Sequence, residues 1–82
     1  MEFPKIENAE QARVLGQMMS EYGLEMLMTE RELLVRRIQE AGEYGDEAAD
    51  NRIHLIDVAC TEYIRNAALT RRNIYRLHET EI

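Results

Sequence analysis

From Ala49 to Leu77, small and apolar side chains recur at alternating steps of four and three: Ala49, Ile53, Ile56, Cys60, Tyr63, Ala67, Thr70, Ile74 and Leu77. Four heptads filled this way at a and d positions mark a helix with a coiled-coil-like seam. No Gly or Pro interrupts residues 46–82. The spacing predicts one helix over 47–78, about 48 Å long. That is longer than a compact monomer of 82 residues needs, so the seam residues Ile53, Ile56, Cys60, Tyr63, Ala67, Ile74 and Leu77 are expected to meet a second copy of the chain.

Upstream of this helix, Gly42-Glu43-Tyr44-Gly45-Asp46 is the one stretch with strong loop character. Gly42 suits the left-handed position that ends a helix, and Asp46 suits the N-cap of the next. The chain is expected to fold back over 42–46.

Residues 9–41 are predicted to be helical after an extended arm over 1–8. Asn8, with Gln11 three residues on, is a capping start, and Ala12, Leu15, Met19, Tyr22 and Met26 then share one face. Thr29-Glu30-Arg31-Glu32 matches a second capping box, with Met28 and Leu33 as its staple pair. From there the apolar face shifts to Leu33, Leu34, Ile38 and Ala41. The pattern fits one kinked helix or two, and a kink or break between Gly23 and Thr29 is expected. If the helix runs through, Leu24, Leu27 and Met28 lie off its main stripe as a second patch.

Composition narrows the class. With 45% hydrophobic and 32% charged residues, one Pro and four Gly, the chain is too apolar for disorder and reads as one all-α domain. A chain this short buries only about 60–65% of its unfolded surface, so a fold of this size needs a staple. The single cysteine, Cys60, forms no intrachain disulfide and points to a reducing, cytoplasmic setting. Neither a secretory signal, a transit peptide nor a membrane-spanning run is read from the sequence. Self-association is the remaining staple, and a homodimer resembling a four-helix bundle is the expected assembly.

The net charge of −6 is uneven: residues 1–50 hold twelve acidic and five basic side chains, and residues 51–82 hold four and five. That distribution argues against direct binding of nucleic acid. It leaves room for the acidic half to mimic nucleic acid before a nucleic-acid-binding protein.

Candidate chemistry is sparse. Cys60 falls on the seam, where a small buried residue is wanted, whereas a reactive thiol needs an exposed, electropositive setting. His54 and His78 lie about 36 Å apart on one helix and cannot share a metal. Glu7-x-x-Glu10, Glu40-x-x-Glu43 and Glu47-x-x-Asp50 have the spacing of magnesium-holding acid pairs, but they sit at the N-terminus and around the turn. Phosphate loops, catalytic triads and Cys-x-x-Cys pairs are missing from the sequence. No enzyme activity, cofactor or metal is expected.

Two surfaces remain. Arg65, Arg72 and Arg76 fall within about 40° of one another on the last helix, opposite the seam, with His54 on the same line. Arginine suits bidentate pairing with carboxylate or phosphate, so this stripe is a candidate site for an acidic partner or a small anionic, nucleotide-like ligand. Met26 and Met28 belong to a methionine-rich segment suited to adaptable binding surfaces. Function is therefore expected in protein–protein interaction: a small acidic module that binds and modulates a larger target, in the manner of compact phage-encoded inhibitors and regulators of bacterial machinery.

Overall fold

The computed structural model describes the backbone of residues 5–80 and the side chains of residues 5–71. Three α-helices occur among the described residues: α1 (Ala9–Met18), α2 (Glu21–Ala41) and α3 (Glu47–Thr80). A single 3-10 turn, Gly42–Tyr44, follows α2. No strand occurs among the described residues.

Each helix start has a side-chain cap. The Gln11 amide donates to Asn8 Oδ1 at 2.8 Å, and Gln11 Oε1 accepts from the Glu7 amide at 2.9 Å. The Gly23 amide donates to Ser20 Oγ at 3.4 Å, and the Ala49 amide to Asp46 Oδ1 at 3.0 Å. These bonds satisfy amides that have no partner within the helix. At the end of α2, Gly42 takes φ 60° and its amide donates to Ile38 O. Gly45 takes φ 67°. A β-carbon is disfavoured at both positions, which is why two glycines bracket the turn. Asp46 then joins the two long helices, because its second oxygen, Oδ2, lies 2.8 Å from Arg37 Nε.

The break in the first helical segment comes at Met19–Ser20, ahead of the expected stretch between Gly23 and Thr29. Both residues are extended, and α2 then runs without interruption through Gly23 and Thr29. Ser20 takes the capping role, with Glu21 beside it in the first turn. Thr29 caps nothing: its hydroxyl donates to Glu25 O one turn back, at 3.0 Å. A hydroxyl inside a helix satisfies itself this way. The earlier break also dissolves the common face expected for residues 12–26. Ala12 is buried and Leu15 and Met19 pack on the core, while Tyr22 is 65% exposed. Leu27, expected off the main stripe, is fully buried, and Leu24 packs against the core beside it.

Helix α3 is the spine, and α1 and α2 each pack on it rather than on one another. Helix α2 runs antiparallel to α3, as the pairs Arg31–Asp57, Glu30–Arg52 and Arg37–Asp46 show. Helix α1 lies alongside with its C-terminal end at Glu62 and Asn66. There Gln17 Nε2 donates to Glu62 Oε1 at 3.0 Å, and Asn66 Nδ2 donates to Gln17 O at 3.4 Å.

Two neighbours widen the buried arc of α3 beyond the heptad seam. Ala49, Ile56 and Cys60 are buried as a seam predicts, but so are Leu55 and Ala59, which lie outside it. Ile53, Tyr63 and Ala67 are half-buried and Thr70 is exposed. The seam side chains of Ile74 and Leu77 lie outside the described residues. The first half of the expected intermolecular seam is thus covered within the chain. Among the described residues eight apolar side chains are buried, and three of them are alanines. Leu27 and Ile56 are the largest fully buried side chains, each contributing about 1.5–3 kcal/mol of transfer free energy. The core is small, and so is its reserve of stability.

Candidate interaction surface

Between Ile64 and Arg71 the spine is thinly covered, by the end of α1 at Asn66 alone. From Ile64 to Arg71 no residue is buried; Ile64 is 63% exposed and Leu69 50%. The two lie about 140° apart around the helix, so α3 offers apolar contact on two sides there.

Other large apolar residues lie outside the core on α1 and α2. Val14 and the 80%-exposed Met18 stand on an open groove of about 480 Å³ that Leu15, Lys5 and Glu10 complete. On α2, Tyr22 and Leu33 are both more than half exposed and share one flank with half-buried Met26. Met28 is exposed on the other flank, about 200° from Met26. The two candidate methionines are therefore not brought together. Neither Val14 nor Met18 stands out in the sequence as a surface residue, because the helical period allows them either face until the break at Met19–Ser20 is placed.

Of the arginine stripe, the described side chains include Arg65 alone. Arg65 and His54 are exposed and line one shallow depression of about 330 Å³. The side chains of Arg72 and Arg76 lie outside the described residues. The fold adds a residue that spacing along α3 alone could not reveal: Arg13 of α1 lines the same depression, with Val58 half-buried in its wall. Asp57 and Glu62 border it and are already engaged, Asp57 with Arg31 Nε at 2.8 Å and Glu62 with Gln17. The Asp57 carboxylate, through its hydrogen bond and its charge, raises the Arg31 guanidinium pKa further above its ordinary value.

Cys60 sits in the core at 8% exposure. Burial, with the Asp57 charge adding to it, pushes its thiol pKa up, while Arg31 pulls weakly the other way. A thiol held neutral in this manner is a packing group rather than a nucleophile. No group of three or more His, Cys, Asp or Glu side chains is placed to hold a metal ion among the described residues. No helix among them is long and apolar enough to cross a membrane. Comparison with protein-family models, with curated proteins and with solved structures finds no match for this chain.

Proposed function

We propose that the chain is a non-enzymatic, cytoplasmic interaction module that self-associates as a homodimer and binds and modulates a larger protein, as an inhibitor or regulator. The observation that carries this reading is the exposed stretch of α3 from Ile64 to Arg71. A helix continuing to Thr80 with Ile64 and Leu69 exposed is costly for a lone small domain and useful to one that acts by contact. The small core supports self-association in particular, since a second copy would add the buried area that 82 residues lack. Glu30, Asp46 and Asp57 are committed to internal ion pairs. The nine exposed acids between Glu7 and Asp50 lie outside these pairs.

Sedimentation equilibrium on the full chain at roughly 10 µM, a concentration where interfaces of micromolar affinity or better are populated, tests the assembly. The expected mass is twice 9.6 kDa, and a monomer overturns the dimer. Cross-linking in host extract tests the target. The wild type should capture a protein that a variant carrying Ile64→Glu and Leu69→Glu does not.

A further inference from the structure

We propose that the depression bounded by Arg13, His54 and Arg65 binds an acidic peptide segment of a protein partner. This rests on the reading of the chain as an interaction module and names the chemistry its partner must present. Arg13 of α1 and His54 and Arg65 of α3 line one concavity together with Asp57 and Glu62, and among the described residues neither arginine makes an ion pair. Arg31, Arg37 and Arg52, by contrast, each hold a carboxylate at 2.7–2.8 Å. Arg31 neutralises Asp57, while Glu62 accepts from Gln17 Nε2 and keeps its charge. With Asp57 neutralised by Arg31, the two unpaired arginines outnumber Glu62 in this concavity, inside a chain whose net charge is −6.

Spacing selects the ligand class. His54 and Arg65 stand eleven residues apart on α3, about 16 Å along the helix. A single phosphate or carboxylate cannot reach both ends, whereas a segment bearing two or three carboxylates can. Guanidinium groups suit carboxylates in bidentate geometry, and Val58 offers apolar contact between the charges. A nucleic-acid backbone would also reach, but a net charge of −6 opposes a dense polyanion more strongly than a segment of two or three carboxylates.

The test uses the full chain and a fluorescein-labelled, end-blocked peptide of alternating Glu and Ala, with the Gln-for-Glu peptide as control, read by anisotropy at low salt. The wild type should bind the Glu peptide and ignore the Gln peptide. Arg13→Glu with Arg65→Glu should weaken binding by about tenfold or more, as loss of charge-assisted pairs does. Arg36→Glu with Arg71→Glu makes the same charge change at exposed arginines elsewhere and should leave affinity within about twofold. If the first reversal disturbs helicity, Arg13→Gln with Arg65→Gln provides the same readout, and wild-type affinity in that variant overturns the site. Equal loss in both charge-reversed variants reduces the effect to bulk charge and overturns it. Competition by inorganic phosphate as effective as by unlabelled peptide overturns the peptide class. No binding by the wild type overturns the proposal outright. Mass measured on the same sample separates the two ideas: a dimer that ignores the peptide sinks this site and leaves the interaction module standing.

Discussion

Gly16 lies directly on Ala59, with no room for a β-carbon between α1 and α3. A methyl group there would overlap Ala59 O and stand 2.8 Å from Glu62 Cβ and 3.1 Å from Tyr63 N. The obstacles are mostly fixed backbone, so relief requires the helices to separate. Ala12 and Ala59, both fully buried, extend the same close approach. Gly16→Ala gains helix propensity, which is worth about 1 kcal/mol. It loses more through overpacking, which costs about 1–3 kcal/mol and sometimes more. The expected outcome is net destabilisation, read as a lower urea midpoint. A higher midpoint would mean that α1 does not pack as described.

Two capping residues make opposite predictions. Ser20 accepts from the Gly23 amide at 3.4 Å, a long bond, so Ser20→Ala should destabilise by about 0.5–1 kcal/mol, the low end for a cap. Thr29 lies inside α2 and bonds only Glu25 O. Thr29→Ala should therefore stabilise by a few tenths of a kcal/mol through helix propensity. Thermal unfolding of the two variants checks the signs, and destabilisation by Thr29→Ala would restore a break near residue 29.

Much of this was legible in the sequence. The turn at 42–46, the Asp46 and Asn8 caps and the long third helix follow from local chemistry: paired glycines, short polar side chains and an unbroken helical period. The position of the break in the first segment is not legible, because Thr29-Glu30-Arg31-Glu32 satisfies the capping-box pattern better than Ser20 does. Position relative to α3 decided between them. With the break at Ser20, Leu27 meets the core and Glu30 meets Arg52. The site was legible only by half, since His54 and Arg65 share a helical face but Arg13 joins them through a tertiary contact. The role of Gly16 leaves a faint trace, the small pair Ala12-x-x-x-Gly16, which marks a close helix approach only once a partner helix is known.

The pair of Glu30 and Arg52 is the strongest polar tie between α2 and α3. It is bidentate, at 2.8 and 2.7 Å, and both side chains are at most one-fifth exposed. Glu30→Gln keeps the shape and removes the charge, leaving a guanidinium part-buried opposite a neutral amide. A loss of about 1–3 kcal/mol is expected in urea titration. Loss below a few tenths would class the pair with ordinary surface bridges.

Cys60 links stability to alkaline pH. Its pKa is raised in the folded chain, so the unfolded chain releases the thiol proton first as pH rises. Its contribution to stability is full below the ordinary thiol value of 9.0 and is lost as pH climbs through the raised folded value. Cys60→Ala should flatten that decline while lowering stability at neutral pH through the cavity it leaves. In the native protein a thiol reagent should react slowly and unfolding should release the full reactivity. Rapid labelling of the folded chain would place Cys60 on the surface.

The exposed part of α3 offers two sides that the proposed second copy would cover. Ile64 and Leu69 point to different sides, and neither contributes to the core. Each is changed singly to Glu. The change that lies outside the dimer contact should leave helicity intact and stability within about 0.5 kcal/mol, as surface substitutions do. Whichever lies in the dimer contact should drop the solution mass toward 9.6 kDa, because a carboxylate buried without a partner at an interface costs several kcal/mol. Ile56→Asp separates folding from assembly. Ile56 is fully buried within its own chain, so that change should unfold the protomer rather than merely dissociate it. Mass and far-ultraviolet circular dichroism on the three variants distinguish these outcomes. If Ile64→Glu and Leu69→Glu both leave a dimer intact, the contact lies instead on the exposed flanks of α1 and α2, where Met18, Tyr22 and Leu33 become the residues to change.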